Sequence, residues 1–87
     1  MGTKTIAVID THNYGGVVLS FTESIDVAFL SFLFNGEIKT IFFPAVCLVE
    51  DDLTIGKYFA RRGILLSLEE VEQIGEAFFS EGNNDAS

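Results

Sequence analysis

The dipeptide Asn35-Gly36, set between two apolar runs, is the strongest constraint on how this chain folds. Val27–Phe34 precedes it and residues 37–43 follow it, and both runs are rich in aromatic and β-branched residues. Both residues of an Asn-Gly pair tolerate the positive φ that a type I′ turn requires. We therefore predict a tight β-hairpin. A helix over residues 24–34, capped by Ser24, is the alternative, and the hairpin turn that follows directly disfavours it.

The turn also fixes which residues face each other across the hairpin. The predicted pairs are Phe34 with Glu37, Leu33 with Ile38, Phe32 with Lys39, Ser31 with Thr40, Leu30 with Ile41, and Phe29 with Phe42. Because side chains alternate sides along a strand, this register divides the hairpin into two faces. One face carries Val27, Phe29, Ser31, Leu33, Ile38, Thr40 and Phe42. The other carries Ala28, Leu30, Phe32, Phe34, Glu37, Lys39, Ile41 and Phe43.

Neither face is plainly polar, although the solvated face of an antiparallel sheet normally is. A single C-terminal helix can cover one face, which leaves an apolar surplus. We predict that this surplus face, with Phe32 and Phe34 near its tip, contacts another chain, as in a homodimer through the hairpin. Packing of both phenylalanines in the core is the alternative.

The remaining elements follow from shorter signals. Residues 5–9 and 17–21 are β-branched and apolar and predict a first hairpin, joined through a glycine-containing loop. Residues 46–49 predict a further short strand beyond Pro44. Residues 53–62 predict a short helix that begins after an acidic turn and stops at Gly63.

A capping box marks the C-terminal helix, with Ser67 at the cap and Glu70 three residues later. At about 100° per residue, its apolar face holds Leu68, Val71, Ile74, Gly75, Phe78 and Phe79. Its polar face holds Glu69, Glu70, Glu72, Gln73, Glu76 and Ser80.

These elements predict one α+β domain over residues 1–81. It comprises an antiparallel sheet of four to five strands, a C-terminal amphipathic helix and a short second helix, with a flexible tail over residues 82–87. A chain of 87 residues buries only roughly 60–65% of the surface that its unfolded form exposes. The core is therefore thin, and oligomerisation would stabilise it.

The net charge of −8 argues against direct binding of nucleic acid, because phosphates are neutralised by Lys and Arg. It favours a protein partner with a basic surface. The chain has no run of 18 apolar residues and no signal peptide, and its single cysteine, Cys47, forms no internal disulfide. We therefore expect a cytoplasmic protein that makes no membrane contact.

The sequence shows no constellation that would carry catalysis. His12 is the only histidine and Cys47 the only cysteine, whereas nucleophilic catalysis needs a nucleophile beside a base and a metal site needs several ligands. We therefore expect a protein that is not an enzyme and that uses neither a metal nor a cofactor.

Two charged groups are candidate binding surfaces. The acidic stripe Glu69, Glu72 and Glu76 would imitate a row of phosphates, and its alternative is a solvated helix face. A cationic group at the end of the short helix would contact an anion or nucleic acid, and its alternative is simple complementarity to the helix dipole. That group consists of Lys57, Arg61 and Arg62.

The segment between the two helices carries a family resemblance. It reads Arg62-Gly63-Ile64-Leu65-Leu66-Ser67-Leu68-Glu69-Glu70-Val71. It resembles the stretch that leads into the C-terminal helix of the positive-cofactor-four type of transcriptional coactivator. The resemblance implies a homodimer that binds single-stranded DNA. Val71 stands where that family usually has Trp, and the strands here hold few basic residues.

The function that we favour from the sequence is a small acidic protein-binding module. It would inhibit or regulate a nucleic-acid-acting protein as a DNA mimic, in the manner of phage host-takeover proteins or immunity proteins. A homodimeric single-stranded DNA-binding protein of the coactivator type is the alternative, and a plain structural subunit is the third.

Overall fold

An antiparallel sheet covered on one side by two helices makes up the described part of the chain. The computed structural model describes residues 2–86, with side chains for residues 2–80. The strands neighbour one another in chain order and are β1 (Thr3–Thr11), β2 (Gly15–Thr22), β3 (Val27–Phe34) and β4 (Glu37–Pro44). The helices are α1 (Asp52–Arg61) and α2 (Leu68–Ala86). The predicted α+β class is confirmed, with four strands.

The β3–β4 hairpin turns at Asn35-Gly36 as the sequence predicts. Asn35 has φ of 53° and Gly36 has φ of 79°, so both central residues take the left-handed conformation of a type I′ turn. All the predicted pairs from Phe34 with Glu37 to Phe29 with Phe42 are present. The helix considered for residues 24–34 does not form, apart from one 3₁₀ turn at Glu23–Ile25.

The core lies between the sheet and the helices. Its largest fully buried side chains are Val17, Leu19, Leu30, Phe43, Leu48, Phe59, Ile64, Val71 and Ile74. Phe43 on β4 meets Phe59 on α1 edge to face, with ring centroids 5.1 Å apart. Phe21 on β2 meets Phe78 on α2 in the same way, at 5.3 Å. These contacts join both helices to one face of the sheet.

The opposite face of the sheet has no cover from the described residues. We call it the outer sheet face. Its apolar members are Val8, Val18, Val27, Phe29, Leu33, Ile38 and Phe42. Ile38 is 77% exposed, Leu33 63% and Phe42 62%. Of the two apolar faces of the hairpin, the one that carries Leu33, Ile38 and Phe42 is therefore the exposed one among the described residues.

The strand predicted for residues 46–49 is wrong, because the chain forms a 3₁₀ turn over Ala45–Val49. Pro44 ends the strand, and the Ala45 N–H then donates to the Asp26 carbonyl at 3.0 Å. Ala45 and Leu48 are both buried. Residues three apart lie on one side of a 3₁₀ turn, so this conformation turns both side chains towards the core.

The helix ends follow the predicted signals. Gly63 has φ of 87°, and its N–H donates to the Ala60 carbonyl while the Ile64 N–H donates to the Phe59 carbonyl. This pair of bonds is a Schellman motif, in which a glycine takes the left-handed position. Helix α1 begins at Asp52, one residue before the predicted start. Helix α2 runs to Ala86, past residue 82 where the tail was predicted, and Ser87 lies outside the described residues.

Within residues 2–86, no helix combines the length and the apolar character needed to cross a membrane.

Replacing two glycines by alanine should have opposite effects on stability. A Cβ at either Gly36 or Gly75 would meet no atom within 4 Å, so backbone conformation decides the result. Gly36→Ala forces a side chain into positive φ and should lower the free energy of unfolding by about 1–2 kcal/mol. Gly75→Ala, inside α2, should raise it by about 0.5–1 kcal/mol. Urea denaturation measures both, and equal signs would contradict this account of the turn.

Candidate functional site

A groove on the helical side of the molecule gathers acidic side chains around an apolar floor. It lies between α2 and the segment that connects β4 to α1, and its volume is about 570 Å³. We call it the acidic groove. Its lining residues are Leu48, Val49, Glu50, Asp52, Glu72, Gly75, Glu76, Phe79 and Ser80.

The amphipathic pattern of α2 places one wall of the acidic groove. Val71 and Ile74 are fully buried against the sheet, so Glu72 and Glu76 are left on the exposed side of the helix. Residues four apart on a helix are neighbours, with Cβ atoms about 5–6 Å apart. Gly75 lies between them and has no side chain to fill the space. Two predicted stripe residues thus share one concave surface.

The opposite wall comes from the acidic turn before α1. Glu50 is exposed and Asp52 is half-buried, and both line the acidic groove with Glu72 and Glu76. The sequence identified this turn only as a helix start, because α1 and residues 62–67 lie between it and α2. The apolar residues of Ala45–Val49 could have indicated that this turn packs near α2, since Leu48 enters the core beneath that helix.

The floor of the acidic groove is apolar. Leu48 is buried there, while Val49 and Phe79 remain largely exposed. Phe79 was predicted to lie on the packed face of α2 with Phe78. Phe78 packs against Phe21, whereas Phe79 meets the edge of the Phe78 ring and stays 45% exposed. The acidic groove therefore combines exposed carboxylates with aliphatic and aromatic surface.

Glu69, the third residue of the predicted stripe, lies apart from the acidic groove. Its side chain is exposed and does not belong to the lining residues. Glu70 has a structural role, because its two oxygens accept hydrogen bonds from the Ser67 N–H at 2.9 Å and the His12 N–H at 2.8 Å. With the Ser67 hydroxyl accepting from the Glu70 N–H, the predicted capping box is confirmed.

Asp51 also serves the backbone. It caps α1 by accepting hydrogen bonds from the Thr54 N–H at 2.8 Å and the Thr54 hydroxyl at 3.2 Å. These bonds, chiefly the one from the Thr54 N–H, lower the pKa of the Asp51 carboxyl below its ordinary value of 3.8. The carboxylates left for a partner in the acidic groove are therefore those of Glu50, Asp52, Glu72 and Glu76.

The predicted aromatic patch divides between core and surface. Phe32 is only 7% exposed and packs against Tyr14, with ring centroids 4.6 Å apart. Phe34 is 41% exposed and meets the edge of the same tyrosine. The placement of these two rings on the surplus face is wrong, because they alternate with Leu33 and share the covered face with Leu30. Because both faces of the hairpin are apolar, the sequence does not indicate which of them the helices cover.

The predicted cationic group is exposed, and its three members do not line a common pocket. The Arg62 guanidinium lies 3.7 Å from the centre of the Tyr58 ring. Arg62 also lines a smaller pocket of about 270 Å³. The other lining residues of this pocket are Tyr14, Phe32, Phe34, Lys39, Ile41, Gly63 and Ile64. Lys57 and Arg61 are not among them, and Lys39, which the cross-strand pairing with Phe32 could have indicated, was not predicted.

No metal-binding group of three or more His, Cys, Asp or Glu side chains forms among the described residues. Cys47 is half-buried. Burial raises the pKa of the Tyr58 phenol above its ordinary value, and the nearby Cys47 adds to this rise. His12 is exposed in the β1–β2 loop.

Comparison of the chain with models of protein families, with curated proteins and with solved structures found no match. The resemblance of residues 62–71 to the coactivator family therefore stays a prediction.

Removing the Glu70 carboxylate should destabilise the fold far more than removing its neighbour. Glu70→Ala leaves the Ser67 and His12 N–H groups without their protein partner and should cost about 1–2 kcal/mol of unfolding free energy. Glu69→Ala removes an exposed carboxylate of the same helix turn and should change it by less than about 0.5 kcal/mol. Urea denaturation of both variants measures this difference, and equal losses would reject the role of Glu70.

The cap at Asp51 should contribute stability that depends on pH. Its pKa is lowered in the folded state, so the contribution is present at neutral pH and is lost as the pH falls through the folded pKa. The stability difference between wild type and Asp51→Ala should therefore shrink from about pH 5 to about pH 2. Asp51→Asn keeps a hydrogen-bond acceptor that does not titrate. The difference in unfolding free energy between Asp51→Asn and Asp51→Ala should therefore stay constant over this pH range. If the difference between wild type and Asp51→Ala did not change with pH, the ionised Asp51 carboxylate would not be the source of the cap's stability.

Proposed function

We propose that this chain is a non-enzymatic protein-binding module that receives a basic segment of its partner in the acidic groove. The observation that carries the proposal is the convergence of Glu50, Asp52, Glu72 and Glu76 around one concave apolar surface. A solvated helix face would explain the carboxylates of α2 alone. It does not explain why a second acidic segment faces them across exposed Val49 and Phe79.

Charge would bring the partner to this surface. The chain carries a net charge of −8, and carboxylates on two walls of a cleft concentrate that field where a cation can approach both. Such steering raises the association rate and weakens as salt screens the charges over about 8–10 Å. Binding at the acidic groove should therefore be strongly dependent on ionic strength.

The apolar floor would add affinity that charge alone does not supply. Lys and Arg side chains carry methylene stems that pack on apolar surface while their charged ends stay in water. Leu48, Val49 and Phe79 offer such a surface beside the carboxylates. A basic segment that also contains aliphatic residues fits this combination best.

The chemistry of the partner suggests an inhibitor or regulator of a nucleic-acid-acting protein. Proteins that handle nucleic acid expose Lys and Arg where phosphates bind. Glu72 and Glu76, one helical turn apart, present a row of anions to such a surface. A partner held at the acidic groove would be unable to bind phosphates with the same residues.

Binding of single-stranded nucleic acid is the second candidate. The smaller pocket supports it, because Arg62 and Lys39 lie there beside the exposed edge of Phe34, and cations beside aromatic rings suit stacked bases and phosphates. Lys39 is paired with Glu37 at 3.5 Å, which reduces its charge toward a phosphate. A salt-dependent mobility shift with short single strands, lost in Arg62→Ala, would favour this candidate over the first.

Charge reversal in the acidic groove should weaken the binding of a basic partner. The probe is a synthetic amphipathic peptide of Lys and Leu, titrated by nuclear magnetic resonance. We expect the largest shifts at Glu72, Gly75 and Glu76, and Glu72→Lys/Glu76→Lys should weaken binding by roughly ten- to a hundredfold.

Glu23→Lys/Glu69→Lys is the matched control, since it changes the net charge equally at exposed sites outside the acidic groove. This control should bind nearly as well as wild type. An equal loss in both double variants would show that overall charge, and not the acidic groove, attracts the peptide. The same two variants then identify the natural partner in a cell lysate. It is the protein that binds to wild type and to the control variant but not to Glu72→Lys/Glu76→Lys.

A further inference from the structure

We propose that the outer sheet face binds a second copy of this chain, so that two sheets stack face to face about a two-fold axis. This proposal is independent of the acidic groove, which lies on the opposite side of the molecule. It rests on the exposure, the hydrogen bonding, the charge and the size of the outer sheet face.

The outer sheet face carries apolar side chains from all four strands, with the Ser31 and Thr40 hydroxyls between two of the apolar rows. Leu33 and Ile38 face each other across β3 and β4, and both are more than half exposed. Phe29 and Phe42 form the next apolar row of the same face, with ring centroids 5.1 Å apart. Val8 and Val18 continue it onto β1 and β2. Contiguous exposed patches of this kind mark interfaces, whereas single exposed side chains do not.

Four of the hydroxyl groups on the outer sheet face are already paired with one another. The Thr3 and Thr22 hydroxyls lie 2.9 Å apart, and the Ser31 and Thr40 hydroxyls lie 3.4 Å apart. Burying a hydroxyl that already has a hydrogen-bond partner costs less free energy than burying one that has none. The face can therefore be buried without leaving those groups unsatisfied.

The charge distribution allows a second copy to occupy this face and gives a basic partner no reason to do so. Among the described residues, the register places one charged residue, Asp10, on the outer sheet face, at its border opposite Gly16. The carboxylates of the acidic groove lie on the helical side. Stacked sheets are about 10 Å apart and a helix layer adds about 10 Å on each side, so the two acidic grooves would lie about 30 Å apart.

That separation is several times the screening length of about 8 Å at physiological salt. Two chains of charge −8 would repel one another if their helical sides met, and they meet with little repulsion through the outer sheet face. A basic partner, by contrast, finds no counter-charge there and is drawn to the acidic groove.

The size of the outer sheet face also suits a dimer. Four strands of about eight residues cover roughly 26 Å by 15–19 Å. The accessible surface of their side chains is larger than this projected area. It therefore comes close to the area that each partner buries in a standard interface, which is about 600–1,000 Å². Stacked antiparallel sheets with interleaved side chains are also a stable layer arrangement.

Sedimentation and light scattering of the full chain test the proposal. We expect a mass near twice the 9.5 kDa of one chain. Ile38→Lys and Val8→Lys, at opposite ends of the outer sheet face, should each raise the dimer dissociation constant at least about tenfold. Ile38→Thr keeps a β-branched side chain and should give a smaller rise in the same direction. Circular dichroism establishes that each variant remains folded.

Leu65→Lys is the matched control, since Leu65 is an exposed apolar residue between the helices and its replacement should leave the mass unchanged. Glu72→Lys/Glu76→Lys should also leave the dimer intact, which separates this proposal from the function of the acidic groove. A wild-type chain that stays monomeric over a wide concentration range would overturn the proposal. A dimer that survives both Ile38→Lys and Val8→Lys would overturn it equally.

Discussion

The type I′ turn at Asn35-Gly36 determines on which side of the sheet each apolar side chain of β3 and β4 lies. A shift of one residue in a hairpin register moves each side chain to the other face. With the register held, Leu30 and Phe43 lie on the face that the helices cover, and Leu33 and Ile38 lie on the other. In the β3–β4 hairpin, the residues of the core and those of the outer sheet face are thus separated by one local conformation. The tight turn also keeps this sequence from forming the helix that its apolar run could otherwise support.

The molecule separates its charge from its exposed apolar surface. The acidic groove lies on the helical side, and the outer sheet face has a charged residue only at its border, as far as the described residues show. An acidic protein of this size would have difficulty in associating with itself and with a basic partner through one surface. Two surfaces of different character on opposite sides of the sheet would allow both of the proposed associations at once.

The sequence predicted what depends on short-range chemistry. The register of the hairpin, the capping box at Ser67 and Glu70 and the stop at Gly63 all follow from residues a few positions apart. It could not predict which face of the hairpin is covered, because both are apolar, and it therefore placed Phe32 on the wrong one. The acidic groove was only half predicted, since Glu50 and Glu72 meet through tertiary packing. The bond from the His12 N–H to Glu70 spans 58 residues, and nothing in the local sequence indicates it.

Gly75 shows how stability and access compete in a chain this small. A glycine inside a helix gives up about 0.5–1 kcal/mol relative to alanine, and neither the backbone of α2 nor any neighbour of this residue demands it. What the missing methyl group does provide is depth between Glu72 and Glu76. A small domain with little stability in reserve thus keeps a weak point in its longest helix, and the acidic groove is open at that point.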